Sequence, residues 1–250
     1  TRKSAPLISD HGKLMHLFLV RQPDADAFAH LHPIQRKSKN FEAALPPLPP
    51  GNYQLYADVT YENGFFETMT ATVEIPTLPE SYVALWKIAG RPDAICSSVG
   101  VSANVTNFAV APDMDDSWHI AREPSFAQQR SRLPDGLSMV WESNLTFRLL
   151  SPERTPLPIE PYMGMFGHAV VRHKSGSVFA HVHPVGTFSM ASQQFFLGAT
   201  NKTSHIHATN TVTQVAFPYD FPRPGPYRLW IQLKSSGRVY TGVFDTETKS

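Results

Sequence analysis

The sequence contains a single cysteine, Cys96, among its 250 residues. No disulfide can form within the chain, and no cluster of cysteines can hold a zinc ion. Proteins without disulfides are common in the cytosol, but exported bacterial proteins frequently lack them too. The cysteine count therefore leaves the cellular compartment open.

Long apolar runs and an excess of one charge are also missing. No window approaches the run of about 18 apolar residues that a membrane-spanning helix requires. The 22 basic and 21 acidic side chains give a net charge of +1, and the best basic cluster is only Arg36, Lys37 and Lys39. Binding to DNA or RNA, which needs a basic surface, is therefore disfavoured.

The residues that are present indicate a folded, β-rich protein. Apolar residues make up 42% and charged residues 17% of the chain, a balance that favours a sizeable core. The 22 prolines, the 11% of aromatic residues and the absence of a helical period fit short strands joined by frequent turns. We predict an all-β fold of antiparallel β-sandwiches, immunoglobulin-like or cupredoxin-like.

The chain contains an internal repeat. The first copy has a histidine at position 16 and the motif His-x-His-Pro at 30–33, and the second has a histidine at 168 and the same motif at 181–184. Downstream, each copy continues with a Pro-Gly-x-Tyr turn and an alternating strand. So many landmarks in the same order indicate a duplicated module.

The repeat suggests three regions: a first β-module at 1–76, an irregular connecting segment at 77–135 and a second β-module at 136–250. In the connecting segment we expect one strand at 99–110, and either a short helix or a loop at 122–132.

The first module lacks a counterpart of one strand of the second. The second copy has an upstream strand candidate at 145–150, whose counterpart in the first copy would precede Thr1. The given sequence starts without a methionine or a signal peptide, so we interpret it as a mature or trimmed segment. We expect part of 77–135 or a partner chain to take its place, or else an exposed edge.

Hairpin pairing brings the histidines of each copy together. If Ser175 and Gly176 form a two-residue turn, Val170 faces His181 and His168 faces His183. Because side chains alternate along a strand and directly paired residues share a face, all three histidines then lie on one face. In the first copy, the register that pairs Phe18 with His30 places its three histidines in the same way.

Three imidazoles on one face can hold a metal ion such as zinc, copper, iron or nickel. Methionines lie near the second triplet, and His11 and Met15 flank the first histidine of the first. Thioether sulfur beside imidazole favours copper, particularly Cu(I), so copper is the predicted metal and zinc the alternative. The candidate ligands are His16, His30, His32, His168, His181, His183, Met163, Met165 and Met190.

Structural roles are the alternative for each of these residues. The His-x-His-Pro segments could tie a loop to the sheet, and the methionines could fill gaps in the core. We interpret His119 and His173 as ordinary hydrogen-bonded residues of the fold. His205 and His207 lie in an insertion of the second copy and are weaker metal candidates than the triplets.

Residues 162–171, 176–184, 217–222 and 225–230, with 12–18 and 30–33 of the first copy, resemble an uncharacterised family of bacterial exported or membrane-associated proteins. The resemblance covers most of the chain outside 77–135. It implies β-rich modules and an extracytoplasmic location, periplasmic or membrane-anchored, without an established reaction. Residues 9–11 and 161–163 differ between the copies, so the two sites need not prefer the same metal.

Three functions are compatible with these features. The first is an extracytoplasmic copper-binding module for storage, delivery or sensing, whose partners are the metal ion and a membrane anchor or partner protein outside this sequence. The second is an enzyme with a three-histidine metal site, although no catalytic motif or general base is recognisable. The third is a scaffold or adhesion module with structural histidines. Distances among the imidazole rings distinguish these functions, and the oligomeric state stays open.

Overall fold

The structure is a computed structural model that describes residues 5–36, 40–88, 108–120, 130–192 and 211–249. Within these ranges it has the α-helix α1 (Glu80–Ile88) and a 3-10 turn at Pro134–Gly136, and residues 190–192 are also helical. The strands are β1 (Leu7–Ile8), β2 (His16–Arg21), β3 (Ala27–Leu31), β4 (Ile34–Gln35), β5 (Phe41–Glu42), β6 (Gly51–Tyr61), β7 (Phe66–Ile75), β8 (Ser117–Ile120), β9 (Arg130–Arg132), β10 (Ser138–Trp141), β11 (Thr146–Leu150), β12 (His168–His173), β13 (Phe179–Val182), β14 (Val215–Ala216), β15 (Gly225–Ser235) and β16 (Arg238–Thr248).

In the part of the chain that the structure describes, strands far outnumber helical segments and every strand pair is antiparallel, which confirms the predicted all-β class. The alternation of apolar and polar residues and the many Pro and Gly turns account for this, since both favour short paired strands over helices. Among the described residues, no helix is long and apolar enough to cross a membrane.

The chain divides into two compact units. Of the described residues, the first unit contains 5–36, 40–88, 108–120 and 189–192, and the second unit contains the remainder.

The connecting segment expected at 77–135 contributes to both units, with α1 and β8 in the first and β9 in the second. It is thus more regular than expected. Of the strand expected at 99–110, residues 99–107 lie outside the described ranges and 108–110 form a bend. Of the region 122–132, residues 122–129 lie outside them, and 130–132 form β9.

The first unit is built on one six-stranded sheet. In this sheet β6 pairs with β1, β2 and β7, and the order then continues through β3 to β8. Strand β8 comes from the connecting segment and pairs with β3, so that Trp118 lies opposite Ala29. Trp118 then packs edge-on against Trp86 of helix α1, with ring centroids 5.2 Å apart. Part of the segment 77–135 therefore does extend the first sheet, at its β3 edge.

The second unit has two four-stranded sheets, β14-β11-β10-β9 and β13-β12-β15-β16. Their facing side chains form one buried cluster, which includes Phe147 and Leu149 from the first sheet and Val171, Leu229 and Ile231 from the second. The upstream strand candidate of the second copy is β11, so it belongs to the covering sheet. The first unit has no such sheet among its described residues.

The equivalent strands β7 and β16 show the effect of this covering sheet. Met69 and Val73 of β7 are 41% and 40% exposed, whereas Phe244 of β16 is 1% exposed. A Cβ on Gly242, the counterpart of Met69, would lie 2.5 Å from the sulfur of Met139 in β10. The same position is therefore open in one copy and tightly packed in the other.

Candidate metal centres

Both hairpins have the predicted register. In the second copy, β12 and β13 pair Val170 with His181 and Arg172 with Phe179. In the first copy, β2 and β3 pair Phe18 with His30. Because directly paired residues share a face, the first triplet (His16, His30 and His32) and the second triplet (His168, His181 and His183) each lie on one face of a sheet.

The turn of the second hairpin is longer than predicted. The amide of His173 donates to the carbonyl of Val178 over 3.0 Å, so residues 174–177 form the loop instead of Ser175 and Gly176 alone. The hydroxyl of Ser175 lies 2.6 Å from Nδ1 of His173 and supports this wider loop. Loops of two and four residues around the same centre produce the same register, so the pairing is unchanged.

The rings of each triplet converge, with nearly identical geometry in the two copies. In the first triplet the ring centroids are 5.4, 5.1 and 4.6 Å apart, and the corresponding distances in the second are 5.4, 5.1 and 4.4 Å. All six histidines are buried. The repeat thus preserves the cluster in three dimensions as well as in the sequence.

The nitrogen separations of the first triplet suit a metal ion, and one separation in the second triplet matches it. Nδ1 of the first histidine lies 3.1 Å from Nε2 of the second in the first triplet, and 3.3 Å in the second triplet. Ligand nitrogens about 2.0–2.1 Å from a tetrahedral zinc ion lie about 3.3–3.4 Å from one another. In the first triplet, one ring nitrogen from each histidine lies within 4.8 Å of the other two. These atoms could therefore hold an ion.

The first histidine of each triplet is anchored through its other nitrogen. Nε2 of His16 donates to the carbonyl of Asp10 over 3.2 Å, and Nε2 of His168 donates to the carbonyl of Tyr162 over 3.1 Å. A neutral imidazole that donates through Nε2 has its lone pair on Nδ1. Such an outer hydrogen bond is the usual support of a metal-binding histidine, and it directs Nδ1 towards the cluster.

Each anchoring carbonyl belongs to a tight turn. The bridges Asp10–Lys13 and Tyr162–Met165 enclose two residues with positive φ, at 51° and 80° in the first copy and at 50° and 77° in the second. Two consecutive positive φ angles define a type I′ turn, for which a glycine in the second place is typical. Met163 therefore occupies a turn position, and Met165 closes that turn.

The third histidines are anchored differently. Nδ1 of His32 lies 3.2 Å from Oδ1 of Asp116, which also accepts the backbone amide of His32 over 2.8 Å. Nδ1 of His183 instead donates to the carbonyl of Phe188 over 3.2 Å. The remaining ring nitrogen of His32, Nε2, is buried without a hydrogen-bond partner. A buried nitrogen of this kind is costly unless a ligand satisfies it.

The electrostatics keep the first triplet neutral. Burial lowers the pKa of His16 well below its usual value, and the neighbouring His32 and His30 lower it further. Neutral imidazole is the form that binds a metal. Asp58 lies directly opposite His16 on the neighbouring strand, and burial, with a contribution from Asp10, raises its pKa to about 7 although Thr68 donates to it.

A second group of possible ligands adjoins the first triplet. His32, Asp113 and Asp116 could also hold an ion by distance alone. However, the ammonium group of Lys13 lies 2.6 Å from Asp113 and 3.2 Å from Asp115. This ion pair already compensates Asp113, one of the three groups, and Asp116 is bound to His32, so we attribute to Asp116 the role of orienting His32.

The remaining candidates have different surroundings. Met190 belongs to the first compact unit, although it was predicted to accompany the second triplet. His119 is a buried residue of β8 opposite Phe28, and His173 packs edge-on against Tyr227. Their interpretation as residues of the fold therefore stands. His205 and His207 lie outside the described residues.

Sequence reasoning missed the three aspartates around the first triplet, Asp10, Asp58 and Asp116. Asp58 could have been found by extending the pairing from β2 to the strand that follows the Pro-Gly-x-Tyr turn. Asp116 had no such signal, because 84 residues separate it from His32.

A protein-family model described as Domain of unknown function (DUF8832) matches residues 2–77 and 127–250. No curated protein matches the chain.

Proposed function

Because the chain belongs to the family DUF8832, whose description names no activity, we propose from the site itself that it binds transition-metal ions at its two histidine triplets, with copper as the physiological metal. The observation that carries this proposal is the duplicated convergence of three buried imidazoles, together with the unpartnered Nε2 of His32. A histidine with a purely structural role in the core needs one or two hydrogen bonds. It does not need two further imidazoles close enough to share a metal ion with it.

The donor set supports copper over zinc. Among divalent ions, a site of given nitrogen ligands binds Cu(II) more tightly than Zn(II). The turn beside His168 also contains Met163 and Met165, whose thioethers are soft ligands suited to Cu(I). Zinc is the alternative metal, since three imidazoles and one open position also form zinc sites.

Metal analysis of untagged protein, followed by anaerobic titration with copper, tests the proposal. We expect one equivalent for each triplet, two per chain. His32→Ala and His183→Ala should each remove one equivalent, and the double variant should remove both. His173→Ala is the matched control, since this histidine lies outside both triplets. Binding no tighter than about millimolar at either triplet would overturn the proposal.

Copper storage, delivery or sensing outside the cytoplasm is the role that we propose for these sites. The resemblance to exported bacterial proteins supports this location. Fractionation of cells that produce the full-length protein tests it, and recovery with cytosolic markers alone would contradict it.

A second candidate function is metal-assisted catalysis at the first triplet. It is favoured by Asp58, a carboxyl group opposite His16 whose pKa, raised by burial to about 7, suits a general base. A metal ion held by three histidines keeps an open position for water. Hydrolysis of an activated ester by zinc-loaded protein would support this candidate if Asp58→Asn abolished the activity while zinc stayed bound.

A purely structural role predicts a different outcome. Without metal, Nε2 of His30 can donate to Nδ1 of His16, so the cluster is partly satisfied by itself. Ring centroids that lie within 5.4 Å of one another in both triplets fit a metal site and also fit such a hydrogen-bonded cluster. The titration above decides between these two roles.

A further inference from the structure

The two triplets have similar geometry but different charges around them. Three places that adjoin each triplet can be compared through the repeat: the turn residue whose carbonyl anchors the first histidine, the residue paired with that histidine on the neighbouring strand, and the acceptor for the third histidine. The first copy has Asp10, Asp58 and Asp116 there, and the second has Tyr162, Gln232 and the backbone carbonyl of Phe188. An aspartate of the first copy thus corresponds to a group without a carboxyl in the second copy at each place.

The turn position shows the difference most directly. Asp10 and Tyr162 use the same backbone carbonyl, so only their side chains differ. Asp10 is 7% exposed, and its carboxylate accepts the amide of Ala191. The ring of Tyr162 lies edge-on to His168, with centroids 5.2 Å apart. A buried anion in one copy thus corresponds to an aromatic ring in the other.

The strand position repeats this difference. His16 pairs with Asp58, and His168 pairs with Gln232, which is buried at 1% exposure. Asp58 and Gln232 share a face with the triplet of their own copy because directly paired residues do so. The side chains at this place therefore have similar positions but different charges.

The acceptor of the third histidine completes the set. Asp116 is 1% exposed and accepts the backbone amides of His32 and Asp113. Lys13 forms its ion pairs with Asp113 and Asp115. In the second copy, the carbonyl of Phe188 supplies a dipole without a net charge.

The type of ligand near each turn differs in the same direction. His11 and Lys13 occupy the turn of the first copy, where the second has Met163 and Met165. Soft thioethers favour Cu(I), whereas the imidazole of His11 also suits divalent zinc and copper.

We propose that the two sites are specialised by charge, the first for a divalent transition-metal ion and the second for Cu(I). The inference rests on the proposed function. Three neutral imidazoles do not neutralise any of the charge of the bound ion. A buried charge is costly unless opposite charges nearby compensate it. A divalent ion gains twice as much as a monovalent ion from each nearby carboxylate. The aspartates therefore favour a divalent ion in the first site, and the neutral surroundings of the second favour Cu(I).

The test uses full-length chains with one working site each. His183→Ala retains the first site, and His32→Ala retains the second. The affinities of both variants for Zn(II), and for Cu(I) under anaerobic competition with a Cu(I) chelator, are measured by titration. We expect Zn(II) to bind the first site at least about tenfold more tightly than the second, a difference typical of outer-shell groups, and Cu(I) to prefer the second. Equal preferences in the two variants would overturn the inference.

Charge-changing variants separate electrostatics from structural damage. In the His183→Ala chain at about pH 8, above the raised pKa of Asp58, Asp58→Asn should weaken Zn(II) by about tenfold or more and Cu(I) by about the square root of that factor, because the Coulomb energy scales with the ionic charge. An equal loss for both ions would contradict the inference. In the His32→Ala chain, Gln232→Asp should strengthen Zn(II) more than Cu(I), and Gln232→Asn is the neutral control.

The failure of the inference can be distinguished from the failure of the proposed function. If neither single-site chain binds either metal, the proposed function itself is wrong. If both chains bind but Gln232→Asp changes Zn(II) and Cu(I) affinity by the same factor, metal binding stands and the specialisation by charge is refuted. Circular dichroism of each variant shows whether it is folded, and the gain expected from Gln232→Asp does not depend on damaging a site.

Discussion

At the scale of single residues, burial decides the protonation of the site. His16 is 2% exposed, and burial together with the neighbouring imidazoles holds its pKa well below the usual value. Proton competition for this ligand therefore begins below the ordinary histidine pKa of about 6.5. The same burial acts in the opposite direction on Asp58, because burial always disfavours the charged form.

The lowered pKa of His16 makes the metal-free protein less stable in acid. Below about pH 6.5 the unfolded chain binds a proton that the folded chain does not. The free energy of unfolding therefore decreases as the pH is lowered, by up to about 1.4 kcal/mol per pH unit. Urea unfolding in the presence of a chelator measures this dependence. His16→Gln should reduce the slope between about pH 6.5 and 5, and an unchanged slope would contradict the burial argument.

The raised pKa of Asp58 has the opposite sign. Between its ordinary pKa and about 7, the folded state holds a proton that the unfolded state has released, so the stability associated with this proton is lost as pH rises through about 7. Asp58→Asn should therefore stabilise the metal-free protein, by on the order of 1 kcal/mol, and more at about pH 8 than at about pH 5. Thermal unfolding at both pH values measures this, and a gain that is larger in acid would contradict it.

At the scale of elements, turns position the anchors of the triplets. Gly164 has φ of +77° in the turn that provides the carbonyl of Tyr162, and Gly167 has φ of +155° immediately before His168. A Cβ on Gly164 would meet nothing within 4 Å, but one on Gly167 would lie 2.6 Å from Leu233 and 2.8 Å from the carbonyl of Gln232. The first glycine is required by conformation alone, and the second also by packing.

Substitution of these glycines should separate the two requirements. Gly164→Ala should cost about 1 kcal/mol, and Gly164→Asn less, because asparagine tolerates positive φ. Gly167→Ala should cost more, at least about 2 kcal/mol, because a backbone carbonyl cannot move aside easily. Chemical denaturation measures all three variants, and equal costs for the two alanine variants would contradict this distinction.

The covering sheet of the second unit predicts another contrast. Val73 of β7 is 40% exposed, whereas Leu229 of β15 is fully buried in the core between two sheets. Val73→Thr should change the free energy of unfolding by no more than about 0.5 kcal/mol, and Leu229→Ala should lower it by about 2–5 kcal/mol. Thermal or urea unfolding compares the two, and a large effect at Val73 would indicate that this strand is covered in solution.

At the scale of the whole molecule, the core of the second unit does not depend on the metal sites. Its buried apolar cluster draws on both sheets and includes Ala169 and Val171 of β12, and because side chains alternate along a strand, His168 lies on the opposite face of that strand. Burial of this cluster should maintain the fold without an ion, unlike a zinc finger, which is unfolded without metal.

Removal of metal should therefore lower stability without unfolding the chain. After treatment with a chelator, the far-ultraviolet circular dichroism should keep its β character, and the Tm should fall. Returning metal at about 100 times its Kd should restore about 2.7 kcal/mol per site. Loss of the β signal on chelation would contradict an independent core, and an unchanged Tm would contradict metal binding by the folded state.

The sequence by itself determined the β class, the repeat and the register of both histidine hairpins. These depend on local quantities: the position of a turn, the period-two alternation and the spacing of histidines over 16 residues or fewer. Even a mistaken loop length at Ser175 did not disturb the pairing, because the loop kept its centre. Local spacing is therefore enough to bring candidate metal ligands together on a single hairpin.

Only the tertiary structure decided what surrounds those ligands. Asp58 reaches the first triplet through the strand β6, and Asp116 reaches His32 across 84 residues. The carbonyls of Asp10 and Tyr162 are backbone groups, and every residue carries one, so the sequence could not mark them. Long-range contacts depend on how whole sheets pack. The hairpins therefore specify where the imidazoles lie, and the fold around them specifies their charge environment.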